Sequence, residues 1–387
     1  MLYEGGFYIQ FKCEICGNED PKYIGYLNNN PYCRKCIQFK GELASDDISY
    51  LNGPSKAIIK YELSQEQKDI SKAVLKNFIN HKNTLIYAVC GAGKTELVFE
   101  VIEYALNHKM KVGFAVPRKD VVIELARRFQ TTFKNNIVIA LFGGNTSILY
   151  GDIICLTTHQ LYRYSKYFDL LILDEIDAFP YKGNDVLEAI FKRSVKGNYV
   201  LMSATPDEKT LNDFRQNNTV LELFTRYHKK PIPVPKIIIR YSFFKIIFVI
   251  RKLKEYENKN LPCFVFAPTI DTCESLYSYL KLFFKRIDYV HSKREKRNEI
   301  IDKFREGKLL CLVCTAVLER GVTVKNLQVI IYDADNNIYN DKALLQISGR
   351  VGRVIKATSG DVYYVCKKKT EYMEKAIKFT ILANSKL

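Results

Sequence analysis

The sequence of 387 residues lacks an apolar stretch long enough to cross a membrane. A spanning helix needs about 20 consecutive apolar residues, whereas the longest candidate, FFKIIFVI at 243–250, is interrupted by Lys245. The first residues, MLYEGGFYIQFKCEICG, also lack the basic start and apolar core of a secretory signal peptide. These absences argue against an integral membrane protein or a secreted one and predict an intracellular, cytoplasmic protein.

Acidic residues are fewer than basic ones. The chain has 42 Asp and Glu against 59 Lys and Arg, which gives a formal net charge of +17. A basic excess of this size favours a polyanionic partner, first nucleic acid and second an anionic membrane face; the alternative is that the charge only keeps the protein soluble. Apolar residues make up 47% of the chain, enough for sizeable cores, and the length suits two or three domains.

Disulfides are not expected among the eleven cysteines, because an intracellular compartment is reducing. Four cysteines form two Cys-x-x-Cys pairs with sixteen residues between the pairs: Cys13, Cys16, Cys33 and Cys36. This spacing is typical of a tetrahedral zinc site with four thiolate ligands. Since the protein fills all four positions, we predict a structural site that folds a segment too small to bury a core of its own.

A further two-residue cysteine spacing occurs in LLCLVCT, at Cys311 and Cys314. The segment is apolar and strand-like, and side chains three positions apart on a strand point to opposite faces. We therefore interpret these two cysteines as core residues and not as metal ligands.

Strand-like and helix-like segments alternate over most of the chain. Apolar strand candidates include TLIYA, KVGFAVP, GDIICLTT, LLILDE, YVLMSAT, PCFVFAP and QVIIYDA. Segments such as DVVIELARRFQ and DVLEAIFKRS, which lie between them, carry apolar residues at helical spacing. The proline-rich stretch HKKPIPVPK, residues 228–236, is typical of an extended linker. The alternation predicts an α/β fold with two parallel sheets covered by helices.

The segment AVCGAGKTE, residues 88–96, follows an apolar strand and precedes a helix-like segment. It matches the phosphate-binding loop G-x-x-x-x-G-K-[ST], except that Ala88 replaces the first glycine. The glycines let main-chain N–H groups surround phosphates, and the N-terminus of the next helix adds positive potential. Lys94 is predicted to bind the β- and γ-phosphates of ATP and Thr95 to bind Mg²⁺. The predicted nucleotide-binding positions of the loop are Gly91, Ala92, Gly93, Lys94, Thr95 and Glu96.

An acidic cluster ends the apolar segment LLILDE about 80 residues after this loop. Taken alone, such a cluster suits the exit of a strand into water, but a phosphate loop in the same chain favours a Mg–ATP site. Asp174 is predicted to hold Mg²⁺, and Glu175 to orient and deprotonate the attacking water. Asp177 is assigned a role in coupling to later elements.

Arginines spaced by three occur in QISGRVGR, residues 346–353. The planar guanidinium group suits the equatorial oxygens of a phosphoryl group during transfer. Arg350 and Arg353 are therefore predicted to assist ATP hydrolysis, and Gln346 from the same segment is included among the catalytic candidates.

The order of these motifs resembles that of superfamily 2 helicases. LSQEQ, with Gln67, is similar to the adenine-reading element, and VPR, TTHQL, SAT, FVFAP, TAVLERGVT and QISGRVGR resemble the remaining motifs. The four cysteines ahead of the motor, together with DEIDAFPY, RYHKKPIPVP, LERGVT and GRVGR, resemble the ComFA family of late-competence DNA-uptake ATPases. This resemblance extends from Cys13 to about Tyr364.

The resemblance implies three parts: a zinc-binding module at 1–45, an ATP-binding RecA-like lobe at 46–226 and a second RecA-like lobe at 227–387. Single-stranded DNA would cross both lobes. Ser203 and Thr205 would couple hydrolysis to lobe movement. The implied DNA contacts are Pro117, Arg118, Thr157, Thr158, His159, Thr269, Thr315 and Arg320.

The implied function is an ATP-driven single-stranded DNA translocase, with ATP, Mg²⁺ and Zn²⁺ as cofactors. It would help to draw incoming DNA through a membrane channel during transformation, together with other competence proteins, and the basic charge is compatible with contact at the inner membrane face. A primosomal replication-restart helicase is one alternative, although no large N-terminal DNA-binding domain is evident and the cysteines precede the motor. A nucleic-acid clamp without motor activity is the other, and Glu175 with the paired arginines argues against it.

Overall fold

The computed structural model describes residues 11–45, 55–59, 61–241, 243–315, 324–354 and 357–387. The chain divides into two compact units. The first unit holds residues 1–87 with 94–222, and the second holds 88–93 with 223–387. The cysteine segment thus belongs to the first unit, and the three-part division made from the sequence stays a prediction.

The cysteine segment folds around a small hairpin. Strands β1 (Ile24–Leu27) and β2 (Asn30–Cys33) pair antiparallel. Asn28 and Asn29, with φ of 48° and 62°, form the loop between them, and asparagine is well suited to a two-residue hairpin loop of this kind. A 3₁₀ turn at Arg34–Cys36 follows and carries the last of the four cysteines.

A seven-stranded sheet is the centre of the first unit. In chain order its strands are β3 (Thr84–Ala88), β4 (Val112–Val116), β5 (Val138–Leu141), β6 (Ile153–Thr157), β7 (Phe168–Asp174), β8 (Val195–Ser203) and β9 (Val220–Leu223). They lie side by side in the order β5-β6-β4-β7-β8-β3-β9. The neighbours from β5 to β3 pair parallel, as the alternating pattern predicted.

Helices cover this sheet. They are α1 (Gln65–Ile79), α2 (Phe99–Asn107), α3 (Lys119–Thr132), α4 (Asp185–Ser194) and α5 (Glu208–Gln216). Phe99 at the start of α2 packs edge to face against Phe129 and Phe133, with ring centroids 5.8 Å away in both cases. Such aromatic pairs add stability beyond the area they bury, and here they fix the start of α2 against α3.

The second unit contains a six-stranded sheet. Its strands are β10 (Lys236–Ile239), β11 (Cys263–Phe266), β12 (Ile287–Val290), β13 (Cys311–Cys314), β14 (Gln328–Tyr332) and β15 (Val362–Cys366). They lie in the order β10-β15-β14-β11-β13-β12, with every neighbouring pair parallel. The helices are α6 (Phe243–Asn258), α7 (Ile270–Leu280), α8 (Arg297–Arg305), α9 (Asp341–Ser348) and α10 (Glu371–Asn384).

The two faces of the second sheet bury separate apolar cores. Cys314 packs in the core that contains Phe264 and Phe304, whereas Cys311 packs in the opposite core with Val265 and Leu276. The interpretation of these cysteines as core residues is therefore confirmed.

Several elements differ from the sequence expectations. The strands β5, β9 and β10, which lie at the edges of the two sheets, were not anticipated. The segment FFKIIFVI forms the beginning of α6. Among the described helices, none is both long enough and apolar enough to cross a membrane.

Candidate ATP site and nucleic-acid interface

The phosphate loop adopts a backbone that requires glycine at two positions. Gly91 and Gly93 have φ of +85° and +79°, in the region that residues with a Cβ adopt only with strain. Ala88, which replaces the first glycine of the motif, ends β3 and is fully buried. A 3₁₀ turn at Glu96–Val98 follows the loop, and α2 begins only at Phe99. The sequence predicted a helix directly after the loop, so the first turn is tighter than expected.

The sheet brings the phosphate loop and the acidic cluster to the same edge. Strand β8 lies between β3 and β7, with Tyr87 opposite Ser203 and Met202 opposite Asp174. Because all three strands run parallel, their carboxyl ends lie at the same edge of the sheet. The phosphate loop follows β3 there, and the acidic cluster follows β7. Lys94 Nζ consequently lies 3.9 Å from Asp174 Oδ1.

Asp174 and Glu175 occupy a strained and desolvated position. Burial raises the pKa of Asp174 to about 6, the nearby Glu175 adds to this rise, and the Lys94 cation opposes it. Glu175 has φ of 60°, an uncommon conformation for a residue with a side chain and one that clusters at functional sites. Its N–H donates to Asp174 Oδ1 at 2.8 Å. A cation bound at Asp174 would favour the charged carboxylate, which fits the predicted Mg²⁺ role.

Asp177 connects the acidic cluster to the SAT segment. Ser203 Oγ donates to Asp177 Oδ1 at 2.7 Å and Thr205 Oγ1 donates to Asp177 Oδ2 at 2.9 Å. The Thr205 N–H in turn donates to Ser203 Oγ at 2.9 Å. The three predicted coupling residues thus form one hydrogen-bonded group next to the strand ends, although their coupling role stays a prediction.

Two other predicted nucleotide contacts have structural roles that the sequence reading missed. Gln67 Oε1 accepts the Ser64 N–H at 2.9 Å and completes a capping box at the start of α1. Glu96, beside the predicted Mg²⁺ ligand Thr95, is buried and contacts Arg128 of α3. The S-x-x-Q pattern of LSQEQ was sufficient to predict the cap, whereas no local pattern links Glu96 to Arg128.

The predicted arginines lie in the turn that follows α9 in the second unit. Arg350 is buried, whereas Arg353 is half-buried and donates from Nε to the Gly349 carbonyl at 2.9 Å. Gln346 is buried within α9.

The predicted DNA contacts of the first unit follow the ends of β4 and β6. Pro117, Thr157 and Thr158 are buried, and the half-buried Arg118 pairs with Asp120 at 3.1 Å. His159 is half-buried, and burial lowers its pKa. A histidine that stays neutral offers hydrogen bonds and a ring surface to a nucleic acid, not positive charge.

Of the three predicted DNA contacts in the second unit, the structure describes Thr269 and Thr315. Thr269 is exposed and caps α7, since its hydroxyl accepts the Thr272 N–H at 3.1 Å. Thr315 directly follows β13 and is buried. Arg320 lies outside the described residues. The DNA contacts of both units stay predictions.

The four cysteines of the cysteine segment, Cys13, Cys16, Cys33 and Cys36, lie close together. Their Sγ atoms all lie within 4.8 Å of one another, and those of Cys16 and Cys33 are 3.8 Å apart. A tetrahedron with metal–sulfur distances of about 2.3 Å has sulfur–sulfur edges of about 3.8 Å, so the cluster fits zinc. Burial raises the pKa of Cys16 to about 11, and a bound cation would stabilise the thiolate.

The cysteine segment rests on the 3₁₀ segment Thr158–Arg163, which also carries the predicted DNA contacts Thr158 and His159. Tyr162 Oη donates to the Lys40 carbonyl and Arg163 Nη1 to the Glu42 carbonyl, both at 2.6 Å. The Ala44 N–H donates back to the Arg163 carbonyl at 2.9 Å.

An aromatic contact links the last cysteine to the same segment. The Phe39 N–H donates to the Cys36 carbonyl at 2.9 Å. The Phe39 ring lies 5.5 Å from the Tyr162 ring and 6.3 Å from the His159 ring. Gly41 permits this close approach, because an added Cβ would lie 2.7 Å from Tyr162 Oη. The four-cysteine cluster is thus connected by packing to a predicted DNA contact.

Comparison with known proteins identifies both halves of the chain. The domain described as "Type III restriction enzyme, res subunit" matches residues 60–208, and the "Helicase conserved C-terminal domain" matches residues 245–355. Competence protein ComFA of Bacillus subtilis is 34% identical, covering 94% of this chain and 83% of that protein. The chain belongs to the ComFA family. The ComFA of Streptococcus pneumoniae is also 34% identical, with 90% of this chain and 84% of that protein covered.

Solved structures agree with the ComFA assignment at the level of the fold. Saccharomyces cerevisiae Dbp5 bound to RNA and ADP BeF3 has a TM-score of 0.61 at 16% identity, covering 84% of this chain and 92% of that one. RecG bound to a three-way DNA junction has a TM-score of 0.60 at 21% identity, covering 85% of this chain and 47% of that one. This ComFA chain therefore has two RecA-like lobes of helicase type, preceded by a four-cysteine segment.

Replacement of the phosphate-loop lysine tests the ATP site. In Lys94→Ala the phosphates lose their cation and Asp174 loses its 3.9 Å neighbour, so kcat should fall by about 10²-fold or more and nucleotide binding should weaken. Steady-state ATPase assays and nucleotide titrations measure both. Lys192→Ala, at an exposed position of α4, is the matched control. ATP hydrolysis near the wild-type rate in Lys94→Ala would contradict the assignment.

Removal of two cysteines tests the metal site and its connection to the 3₁₀ segment. Elemental analysis of the wild-type protein should give about one zinc per chain, and Cys13→Ser/Cys16→Ser should lose it. Affinity for single-stranded DNA should fall, because Phe39 no longer holds His159 and Tyr162, whereas nucleotide affinity should remain. Phe39→Ala should keep its zinc and still bind DNA more weakly. Unchanged DNA affinity in both variants would show that the cysteine segment does not support the DNA contacts.

Proposed function

We propose that the protein is an ATP-driven single-stranded DNA translocase that helps to move incoming DNA into the cell during competence. The observation that carries this proposal is the pairing of Lys94 with Asp174 at one sheet edge in a chain that aligns with ComFA over most of its length. ComFA relatives are named as competence proteins, and RecG was solved on a DNA junction. The competence name favours DNA as the substrate of the motor, whereas the solved neighbours, one on RNA and one on DNA, do not distinguish the two.

The phosphate loop and the acidic cluster divide the hydrolytic work. Main-chain N–H groups around Gly91 and Gly93, together with Lys94, hold the phosphates, while Thr95 and Asp174 hold Mg²⁺. A Mg²⁺ ion bound by these residues would neutralise charge on the phosphate oxygens. Glu175 orients the attacking water and accepts its proton.

The arginines act on the charge that develops during hydrolysis. Arg350 and Arg353 stabilise the equatorial oxygens of the phosphoryl group in the transition state. Asp177, Ser203 and Thr205 transmit the change in nucleotide state to the residues that hold DNA.

DNA stimulation distinguishes the proposed function from its alternatives. ATPase activity should rise more with single-stranded DNA than with RNA or duplex DNA. Affinity for the single strand should be tolerant of sequence and should fall as salt increases from about 50 to 200 mM, since each phosphate contact releases counterions. Binding without stimulated hydrolysis would indicate a clamp, and preference for branched duplex substrates would indicate a replication-restart helicase. Affinity that does not depend on salt would contradict phosphate contacts.

A basic and aromatic surface supports contact with an anionic membrane near the proposed DNA channel. Residues 223–254 contain nine Lys and Arg and no Asp or Glu; Arg226 and Lys245 are buried, and the other seven are at least partly exposed. Within this segment Tyr241, Phe243 and Phe244 are 70%, 67% and 62% exposed, and Arg240 and Arg251 are exposed near them in sequence. Exposed aromatic rings combined with basic side chains are the features by which proteins bind the surface of an anionic bilayer. This surface is the proposed membrane contact.

Vesicle binding tests this contact. The protein should co-sediment with phosphatidylglycerol vesicles but not with phosphatidylcholine vesicles, and Phe243→Ser/Phe244→Ser should reduce binding by about tenfold or more. The matched control is Ile381→Ser/Leu382→Ser, which changes an exposed apolar pair of α10 (53% and 57% exposed) outside the basic segment. Equal binding by both double variants would exclude the aromatic surface as the membrane contact.

A further inference from the structure

The residues that precede the proline-rich linker bind the turn that carries the two predicted catalytic arginines. Arg226 Nη1 donates to the carbonyls of Val351 and Gly352 at 2.7 and 2.9 Å, and its Nη2 donates to the Gly349 carbonyl at 3.0 Å. Tyr227 Oη donates to the Arg353 carbonyl at 2.9 Å. Arg226 thus binds three main-chain carbonyls of the turn, and Tyr227 binds a fourth.

His228 adds a further contact to the same turn. Its Nε2 lies 2.8 Å from the Gly352 carbonyl, and its Nδ1 accepts the Lys230 N–H at 3.1 Å. These two partners require the neutral ring with the proton on Nε2, so His228 also acts as a donor to the turn. Arg226, Tyr227 and His228 all lie in the second unit together with residues 349–353.

Burial of Arg226 needs a reason beyond packing. The side chain is 1% exposed, and among the described residues it pairs with carbonyl oxygens and with no carboxylate. Burial lowers its pKa to about 10, with the Arg353 charge adding to this effect, so the group is still charged near neutral pH. Burial of a cation without an anion costs free energy. The planar guanidinium group bridges several carbonyls and so fixes their relative positions.

Arg226 also lies against the phosphate loop. Its Nε is buried without a hydrogen-bond partner, and a methyl group added at Gly91 would be 3.6 Å from that atom. Residues 88–93 belong to the second unit, as Arg226 does. One side chain therefore lies beside the loop that would hold phosphates and binds the main chain that carries Arg350 and Arg353.

We propose that Arg226, Tyr227 and His228 are positioning residues for ATP hydrolysis, which hold the turn at residues 349–353 so that its arginines are in place for the phosphoryl group. This inference rests on the proposed ATPase, since it assigns a means of arginine placement to that reaction. The residues do not themselves contact the reacting atoms. Their effect belongs to the transition state and not to nucleotide binding.

Steady-state ATPase kinetics of variants at Arg226 and Tyr227 test the proposal. Arg226→Gln should lower kcat by about 10²-fold, and Tyr227→Phe should lower it by about fivefold, while KM for ATP changes by less than about threefold. Arg226→Lys keeps the charge but cannot bridge three carbonyls, so it should resemble Arg226→Gln. A kcat at the wild-type value in Arg226→Gln, or a loss confined to KM, would overturn the proposal.

Tyr256→Phe is the matched control. Its hydroxyl donates to Asp361 Oδ2 at 3.0 Å within the same unit, so the variant also loses one tyrosine hydrogen bond but leaves the turn intact. It should retain the wild-type kcat with a similar change in melting temperature to that of Tyr227→Phe. If both tyrosine variants lose kcat equally, the effect of Tyr227 is one of general stability and the proposal is wrong.

Combination with a turn variant shows whether Arg226 acts through the arginines. Arg226→Gln should cause little further loss of kcat in an Arg350→Ala/Arg353→Ala background, because both of the groups that it positions are already absent. Losses that multiply in the triple variant would show that Arg226 acts by another route and would overturn the proposal.

Hydrogen exchange gives a readout that does not require hydrolysis. The amides of residues 349–353 should exchange faster in Arg226→Gln and Tyr227→Phe than in the wild type and in Tyr256→Phe. Unchanged exchange in Arg226→Gln would overturn the positioning role, whether or not the wild-type protein hydrolyses ATP. A wild-type protein that hydrolyses no ATP would by itself refute only the proposed function.

Discussion

The parallel register of three neighbouring strands is the constraint on which the candidate ATP site depends. Strand β8 pairs with both β3 and β7, and the residues Tyr87, Ser203 and Asp174 reach nearly the same level. The phosphate loop, the SAT segment and the acidic cluster are separated by tens of residues in sequence but leave the sheet at one edge. A shift of one residue in either pairing would turn alternate side chains to the opposite face and would separate Lys94 from Asp174.

Main-chain carbonyl groups are the main acceptors at two sites that lie outside the sheets. The arginine-bearing turn is held through the carbonyls of Gly349, Val351, Gly352 and Arg353. The cysteine segment is held to the first unit through the carbonyls of Lys40 and Glu42. Contacts to carbonyls depend on the path of the chain and not on the identity of the residue that supplies the oxygen. They fix a segment in place and leave its side chains available for ligands.

The sequence was sufficient to predict the parts of the site that depend on local patterns. The spacing of Cys13, Cys16, Cys33 and Cys36 predicted a cluster, and their Sγ atoms do converge. Glycine-rich and acidic motifs at strand ends identified Lys94 and Asp174, because parallel sheets bring such ends together. The α/β fold with two parallel sheets followed from the same alternation of strands and helices.

Contacts between distant residues could not be predicted in this way. Arg226 and Gly352 are 126 positions apart, and Glu96 of the 3₁₀ turn pairs with Arg128 of α3, 32 positions later. Neither contact leaves a periodic or compositional pattern in the sequence. Gln67 shows a different limit, since one side chain matches both an adenine-reading motif and a helix cap. A motif match identifies a residue type at a position and does not exclude a second role for it.

The distance along the chain between the cysteine segment and its docking surface has a consequence for the order of folding. The hydrogen bonds that anchor the segment join Lys40 and Glu42 to residues 122 and 121 positions later. During synthesis the four thiols emerge early and can bind a metal ion within a short loop, whereas their docking surface does not yet exist. Until β6 and the 3₁₀ segment that follows it have been made, the cysteine segment has only its local contacts, among them the four converging thiols. The thiols are therefore most open to oxidation in that interval, and the metal ion that the sequence predicts would protect them.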